Sequence, residues 1–453
     1  MYDYFCNSVI GQSHIKKGTP KEDFGIIKKF ENCLIFVLGD GHGDPTCFRS
    51  QIGSEMICDI AVETLNSFCS TVIENEREKE LFIERTAQIM VRQLVSVIFG
   101  TWKKRTVEHL KENPYTEDEL AFMDSKRQAG SRTILAYDEG IGLEHIYGTT
   151  FIAGALTDKF LLLLHQGDGK CSVMYANGEY DEPVPWDDRC FSNVCTSVCD
   201  SDSIESCRFS VINLEEKPVI ASIISSDGVE DSFAEDMDLV HSYYDEILLF
   251  GAKNGKEELE KHLEETLPEM TKNGSNDDIT ICGFYYPDSI KQFEEKFKTR
   301  TEYNNIQAAL DDVNRRIKSA EGSPKMIALE KNLKASTELL ESLKAEYERL
   351  SEDRESVVSD LEKFPFEEEK TDSNFAEKFI AFFDREYQSF QMKQCALQCK
   401  EIFQKYADVE EKYKKAQEKF EEDKKAYDEY MERYNGFLAK REELLQKLSE
   451  IKD

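Results

Sequence analysis

The residues able to do chemistry in this chain are acids, and they recur beside short apolar runs. Asp40-Gly41-His42-Gly43 closes the run Leu34 to Leu38, while Lys21-Glu22-Asp23 immediately precedes the run starting at Phe24. Gly167-Asp168-Gly169-Lys170 follows Phe160 to His165, Ser226-Asp227-Gly228 follows Val219 to Ile224, and Asn276-Asp277-Asp278 leads into Ile279. Each station alone is ordinary turn chemistry. The first fits a strand-to-helix turn, in which Asp40 and Asp44 only cap a helix, as well as it fits a metal site. Together they mean more. Carboxylates gathered at one end of a sheet repel one another unless a cation lies between them, and an all-oxygen set without paired histidines selects Mg²⁺ or Mn²⁺ over Zn²⁺.

The elements that must position these acids read as follows. Phe24 to Lys29 and Cys33 to Leu38 flank Glu31-Asn32 and predict a hairpin. Helices are predicted from Pro45 to about Ser70 and from Glu78 to Glu112, the second with Ile89, Val91, Leu94, Val97 and Ile98 turned inward and ended by Pro114 and Thr116. Strands return at Thr149–Leu156, Phe160–His165 and Cys171–Ala176. Residues 180–207 read as an irregular, Asp- and Cys-rich excursion. A strand at Val219–Ile224, helix near 235–270 and a closing strand at Ile279–Tyr286 complete residues 1–288. Strands in runs with helical blocks inserted predict an α+β domain rather than a doubly wound parallel sheet.

From residue 289 to 453 glycine and proline nearly vanish and apolar residues follow heptad spacing, as in Ile306, Leu310, Val313 and Ile317. The pattern continues through Leu329 to Leu361 and Ile402 to Ile451, with Ser336, Arg354, Asp423 and Arg441 as weak positions. Gly322-Ser323-Pro324 and Phe364-Pro365-Phe366 interrupt it. Heptads sustained this far predict coiled coil, and the breaks permit an antiparallel bundle. Tyrosine and phenylalanine along the last seam favour a hairpin within the chain over a parallel dimer.

The chain has 453 residues and a formal charge of −33, most of the excess falling on residues 1–290. Such a surface repels phosphate and argues against nucleic-acid binding. No segment has the apolar length of a membrane span, and the acidic, aromatic Met1-Tyr2-Asp3-Tyr4-Phe5-Cys6 is unlike a signal peptide, so a cytoplasmic location is expected. The 13 cysteines are dispersed and odd in number. Cys190, Cys195, Cys199 and Cys207 cluster without a CxxC pair, which favours free thiols over a zinc site.

In order, Asp40-Gly41-His42-Gly43, Tyr147-Gly148-Thr149-Thr150, Gly167-Asp168-Gly169, Ser226-Asp227-Gly228-Val229-Glu230-Asp231 and Asn276-Asp277-Asp278-Ile279-Thr280 resemble the signatures of PP2C-type (PPM) protein phosphatases. Gly11-Gln12-Ser13-His14 with Gly18 and Glu22-Asp23 looks like the opening of a bacterial branch. The resemblance covers about residues 5–287. It implies two stacked antiparallel sheets flanked by helices, and hydrolysis of phosphoserine or phosphothreonine in proteins. It also implies that Asp40 and the Gly41 carbonyl hold a pair of Mg²⁺ or Mn²⁺ ions, with Glu22 and Asp23 on one, Asp227 and Asp277 on the other, and Asp168 at a third, weaker site. His42 matches the residue that protonates the leaving oxygen. Paired divalent ions acidify water into a nucleophile and neutralise phosphoryl charge, and a Ser or Thr alkoxide leaves more easily with a proton donor nearby.

Three positions depart from the family pattern. Gly18 stands where an arginine grips substrate phosphate; Lys16 or Lys17 would replace it with a point charge lacking the bidentate fork. Gly169-Lys170 replaces Ser-Arg, and Asp278 replaces an asparagine. The expected protein is therefore a phosphatase with altered phosphate capture, whose segment 289–453 binds a coiled-coil partner, self-associates or regulates the site. A catalytically weak adaptor working through its coiled coil is the alternative. His14 and His165 are expected to be structural.

Overall fold

The computed structural model describes residues 1–73, 76–191, 194–361 and 390–452. Ten strands lie among them: β1 (Asp3–Val9), β2 (Phe24–Lys29), β3 (Leu34–Gly39), β4 (Phe151–Leu156), β5 (Phe160–Gln166), β6 (Lys170–Tyr175), β7 (Tyr180–Asp181), β8 (Arg208–Asn213), β9 (Val219–Ser225) and β10 (Ile279–Tyr285). They form two five-stranded sheets, β1-β10-β9-β6-β7 and β2-β3-β4-β5-β8, and every pairing is antiparallel.

The helices are α1 (Gln12–Lys17), α2 (Ser50–Ile73), α3 (Glu76–Leu81), α4 (Ala87–Glu112), α5 (Glu117–Gln128), α6 (Arg132–Asp138), α7 (Ser203–Ser206), α8 (Asp227–Asp231), α9 (Met237–Asn254), α10 (Lys256–Asn273), α11 (Pro287–Ile290), α12 (Glu294–Ala320), α13 (Pro324–Leu361) and α14 (Phe390–Lys452). The α+β sandwich expected from the sequence is the fold.

β3 shows why the sandwich forms. Its side chains point alternately to the two faces of the sheet. Leu34, Phe36 and Leu38 join Ile152, Ile224 and Phe284 in the layer between the sheets. Ile35 and Val37 face the other way and pack with Ile57 and Leu65 of α2 and Val95 and Phe99 of α4. The central strand is thus buried on both sides, and it reads as an unbroken apolar run for that reason. On the far side of the other sheet, Ile247, Leu248, Leu259 and Leu263 of α9 and α10 cover Phe5, Ile223 and Ile281.

Several elements differ from expectation. The helix predicted from Pro45 starts at Ser50. Asp44 instead accepts from Thr46 N at 2.7 Å, while Arg49 N bonds the Ile146 carbonyl at 2.9 Å, so residues 44–49 serve tertiary contacts first. The helix predicted over 78–112 divides into α3, a π turn at Phe82–Thr86 and α4. The inward stripe of α4 is Val91, Leu94, Val95, Ile98, Phe99 and Trp102, a regular three-and-four spacing that leaves Ile89 66% and Val97 53% exposed. α5 and α6 were not foreseen, although α5 opens with a full capping box from Thr116 and Glu119. β1 and β8 were missed because short polar-aromatic edge strands lack a clear period.

Cys190, Cys195, Cys199 and Cys207 are free thiols, the reading their spacing favoured, whereas another pair is joined. Cys6 on β1 sits opposite Cys282 on β10 and the two form a disulfide, the only one among the described residues. Strand register makes that pairing, across 276 residues of sequence.

The described chain divides into two compact units, Met1–Asn305 and Ile306–Asp453. Within the first, Phe297 of α12 is buried and Arg300 grips Asp245 of α9 through two hydrogen bonds of 2.7 and 2.8 Å. Asn304 donates to the Asp238 carbonyl and to Ser242.

Within the second unit, α13 and α14 pack as an antiparallel hairpin. Tyr347 hydrogen-bonds Tyr406 at 2.6 Å and stacks on Tyr413, and Ser323 meets Tyr430 at 2.9 Å. The weak heptad positions are used: Arg354 lies over the Tyr406 ring, and Ser336 returns its hydroxyl to the Leu333 carbonyl. The break predicted at Phe364-Pro365-Phe366 lies outside the described residues. No helix among the described residues is long and apolar enough to cross a membrane.

Candidate active site

Asp40 leaves the end of β3 with its backbone fixed from β4. Thr150 N donates to its carbonyl at 2.8 Å, the Thr149 hydroxyl donates to the same carbonyl, and the Thr150 hydroxyl accepts from Asp40 N. Asp168 sits in the β5–β6 turn, and Asp227 is the first residue of α8, just beyond β9. Asp40, Asp168 and Asp227 each offer an oxygen, and these oxygens lie within 4.8 Å of one another. Of the described residues, only these three form such a group.

Glu22 and Asp23 stand beside this group. Asp23 is buried against Ser226, Thr280 and Asp40. One oxygen of each, Glu22 Oε2 and Asp23 Oδ2, is buried without a hydrogen-bond partner. The close approach of Glu22 requires a glycine at position 41, because a Cβ there would lie 2.7 Å from the Glu22 carbonyl oxygen. Gly41 also bridges to Thr149.

The electrostatics follow from crowding. Burial first, then Asp23, Asp227, Asp168 and Asp277, push the Asp40 carboxyl well above its usual range. Burial, then Asp168 and Asp277, do the same to Asp227. Glu22 and Asp23 are both raised to about 7, chiefly by burial. Burial raises Asp168 as well, opposed by its own backbone hydrogen bond and then by Lys170. Ionised together these groups would repel strongly, and a divalent cation offsets that repulsion. An oxygen-only donor set with orphaned buried carboxylate oxygens fits Mg²⁺ or Mn²⁺.

The other expected residues fall around this cluster. His42 is half-buried, its ring lowered to about 4 mainly by loss of water, and its Nδ1 lies 3.8 Å from Cys195 Sγ. Asp277 acts on Asp40 and Asp227 through its charge. Lys16 and Lys17 are exposed in the last turn of α1, where the Lys17 charge lowers Glu22. Gly18 has a local reason. It ends α1 at φ +71°, its N–H returning to the His14 carbonyl at 2.8 Å, and a side chain is strained there.

His14 is buried, with Nδ1 3.1 Å from Asp278 Oδ1 and Nε2 3.9 Å from Glu22 Oε2. His165 is buried and held neutral, with Nε2 unpartnered.

Two functional neighbours were not read from the sequence. Asp278 accepts from Gly11 N at 2.6 Å, Glu22 N at 2.6 Å and Asp23 N at 3.2 Å, so it sets the backbone carrying the first acidic pair. The doubled acid Asp277-Asp278 was the available signal. Cys195 Sγ lies 3.8 Å from His42 Nδ1, and nothing in its spacing marks it.

The family model described as Protein phosphatase 2C matches residues 10–267. Solved structures with a similar fold include the serine/threonine phosphatase Stp1 from Staphylococcus aureus, at 16% identity, covering 63% of this chain and 95% of that one with a TM-score of 0.39. The S. agalactiae serine/threonine phosphatase is similar at 17% identity, 63% and 99% coverage and a TM-score of 0.38. The catalytic domain of the phosphatase PstP, in complex with two manganese ions, follows at 13% identity, 63% and 97% coverage and a TM-score of 0.36. No curated protein sequence matches. The family model spans more than half of the sequence and carries every acidic station up to Asp227 in order, and the chain belongs to the protein phosphatase 2C family of metal-dependent protein-serine/threonine phosphatases.

Proposed function

We propose that residues 1–288 hydrolyse phosphoserine and phosphothreonine in proteins, and that residues 289–453 bind a coiled-coil partner, self-associate or regulate that activity. Asp40, the Gly41 carbonyl, Glu22, Asp23, Asp227 and Asp277 would hold two Mg²⁺ or Mn²⁺ ions, with Asp168 serving a third, weaker site. When bound, such ions supply an acidified water and neutralise charge on the phosphoryl group. The observation that carries this reading is the half-buried trio Asp40, Asp168 and Asp227, whose carboxylate oxygens lie within 4.8 Å of one another.

This chain's own residues have separate tasks. Asp278 holds the backbone of Glu22 and Asp23 in place. Thr149 and Thr150 fix Asp40. His42 has Nδ1 3.8 Å from Cys195 Sγ, which leaves Nε2 for the leaving oxygen; to hand over a proton there, the ring must carry its hydrogen on Nε2. The test is hydrolysis of an aryl phosphate and a phosphopeptide by the full chain before and after chelation. Activity should vanish on chelation and return with Mn²⁺ or Mg²⁺; turnover that survives chelation would rule the reading out.

Gly18 is the observation that favours the weak-adaptor reading, since it leaves phosphate capture to two mobile point charges. Replacing Lys16 and Lys17 together by alanine is expected to raise KM for a phosphopeptide by about fivefold, an exposed ion pair contributing up to about 1 kcal/mol. The kcat should stay within about twofold. An unchanged KM would remove both lysines from substrate binding.

A further inference from the structure

Asp168 is carried by a three-residue turn between β5 and β6, and that turn is wedged. A Cβ on Gly167 would lie 2.5 Å from the Thr150 Cβ, and one on Gly169 would lie 2.5 Å from the Ser225 carbonyl oxygen. Thr150 is the residue whose hydroxyl accepts from Asp40 N, and Ser225 ends β9 just before Ser226 and Asp227. Gly167 also adopts φ +114°, where a side chain is strained. With no side chain on either flank of Asp168, the place of the turn depends on what holds its backbone.

Both polar groups of Gly167 are held from outside the turn. Its N–H donates to Thr196 Oγ1 at 3.2 Å, and its carbonyl accepts from Arg208 Nη2 at 2.7 Å. Thr196 Oγ1 in turn donates to Asp187 Oδ2 at 3.2 Å, while Arg208 Nη1 donates to the Pro185 carbonyl at 3.1 Å. The Thr196 hydroxyl therefore accepts once and donates once, which uses its single hydrogen. Asp187 stays an acceptor, because Arg189 donates to both of its oxygens and holds the carboxyl down to about 2. Thr196 is 5% and Asp187 8% exposed, so water competes poorly for these bonds.

We propose that Thr196 is a positioning residue: braced by Asp187, its hydroxyl acts with the Arg208 guanidinium to clamp Gly167, and the clamp sets where the Asp168 carboxylate stands relative to Asp40 and Asp227. The proposal rests on the metal-dependent reading given above. It adds that the grip on the weakest-held ion is governed by a hydroxyl bonded to the backbone of the residue before the ligand.

The test compares the full chain with Thr196→Val, which keeps the shape and removes the hydroxyl, and with Thr196→Ser, which keeps the hydroxyl. Gln166-Gly167 is the only Gln-Gly step in the sequence, so carbonyl-labelled glutamine with nitrogen-labelled glycine isolates the Gly167 amide in NMR. Its hydrogen exchange is measured in metal-free protein. Electron paramagnetic resonance of Mn²⁺ added to chelator-treated protein counts bound ions. In Thr196→Val the Gly167 amide should exchange about fivefold faster and the weakest-held Mn²⁺ should bind about fivefold less tightly, the size of one lost buried hydrogen bond. The tighter ions should be unaffected, and Thr196→Ser should match the parent in both measurements.

A valine variant whose Gly167 amide is as protected as the parent's, or whose weakest-held ion binds as tightly, overturns the proposal while leaving the metal reading intact. Equal weakening of every ion also overturns it, because the change would then lie in the whole site. So does a serine variant as impaired as valine, since shape rather than the hydroxyl would be the cause. A parent chain that takes up no Mn²⁺ overturns the metal reading and the proposal together.

Discussion

Asp227→Asn is expected to abolish divalent-dependent hydrolysis, lowering kcat by at least about 10³-fold, while making the metal-free fold more stable. The first effect follows from position. Asp227 is one of three half-buried acids whose oxygens converge, and removing its charge weakens the grip on the ions that would supply several kcal/mol of transition-state stabilisation, where about 1.4 kcal/mol is a factor of ten. The second follows from crowding. Asp168, Asp277 and Asp23 all push the Asp227 carboxyl up on top of its burial, so in the absence of a cation its charge works against the fold. Asparagine keeps the shape and removes that charge. Steady-state hydrolysis at saturating Mn²⁺ and calorimetric melting in excess chelator measure the two effects. Turnover within tenfold of the parent would displace Asp227 from the site.

The largest stability effect is expected far from the acids, at Arg300. Asp245 on α9 is 1% exposed, and burial raises its carboxyl to about 6 even though Arg300 pulls it down through paired hydrogen bonds. Removing one partner of a buried pair leaves an uncompensated charge, a change that costs about 3–5 kcal/mol. The pH dependence gives the loss a signature. A carboxyl raised in the fold keeps its proton while the unfolded chain loses it, so stability falls as pH rises from about 4 to about 6 and then levels.

In Arg300→Ala the folded carboxyl holds its proton to still higher pH, so the fall continues past 6. The penalty should be small at pH 5 and full at pH 8, as read by urea unfolding of the whole chain. A penalty equal at the two pH values would mean that lost packing of Arg300, which lies 5.2 Å from the Phe297 ring, is the whole effect. The same contacts show why the first compact unit extends to Asn305: the opening turns of α12 satisfy a buried acid of α9.

Much of the site was legible in the sequence because metal chemistry restricts residue type more tightly than position. Hard divalent ions need several carboxylates, these must sit at strand ends to converge, and turns there need glycine and aspartate. Glu22, Asp23, Asp40, Asp168, Asp227 and Asp277 therefore stand out in a single chain, and with them come the α+β class, the order of the central strands and the heptads of the helical unit. Ile89 and Val97 mark where this reading stops. They are apolar and close in sequence to inward residues, but at about 100° of rotation per residue they fall off the face shared by Val91, Val95 and Ile98.

The tertiary structure alone decided the rest. Asp278 became the acceptor for three backbone N–H groups from residues more than 250 positions away, Cys6 met Cys282 through strand register, and Gly18 was required by the left-handed end of α1. Each is a contact between distant segments or a backbone geometry, neither of which residue spacing encodes. The sequence by itself determined which chemistry the chain can perform, since side-chain type sets the ligand set. The fold decided which acids share one volume and which supporting groups touch them, because distance, burial and hydrogen-bond direction exist only once the sheets are stacked.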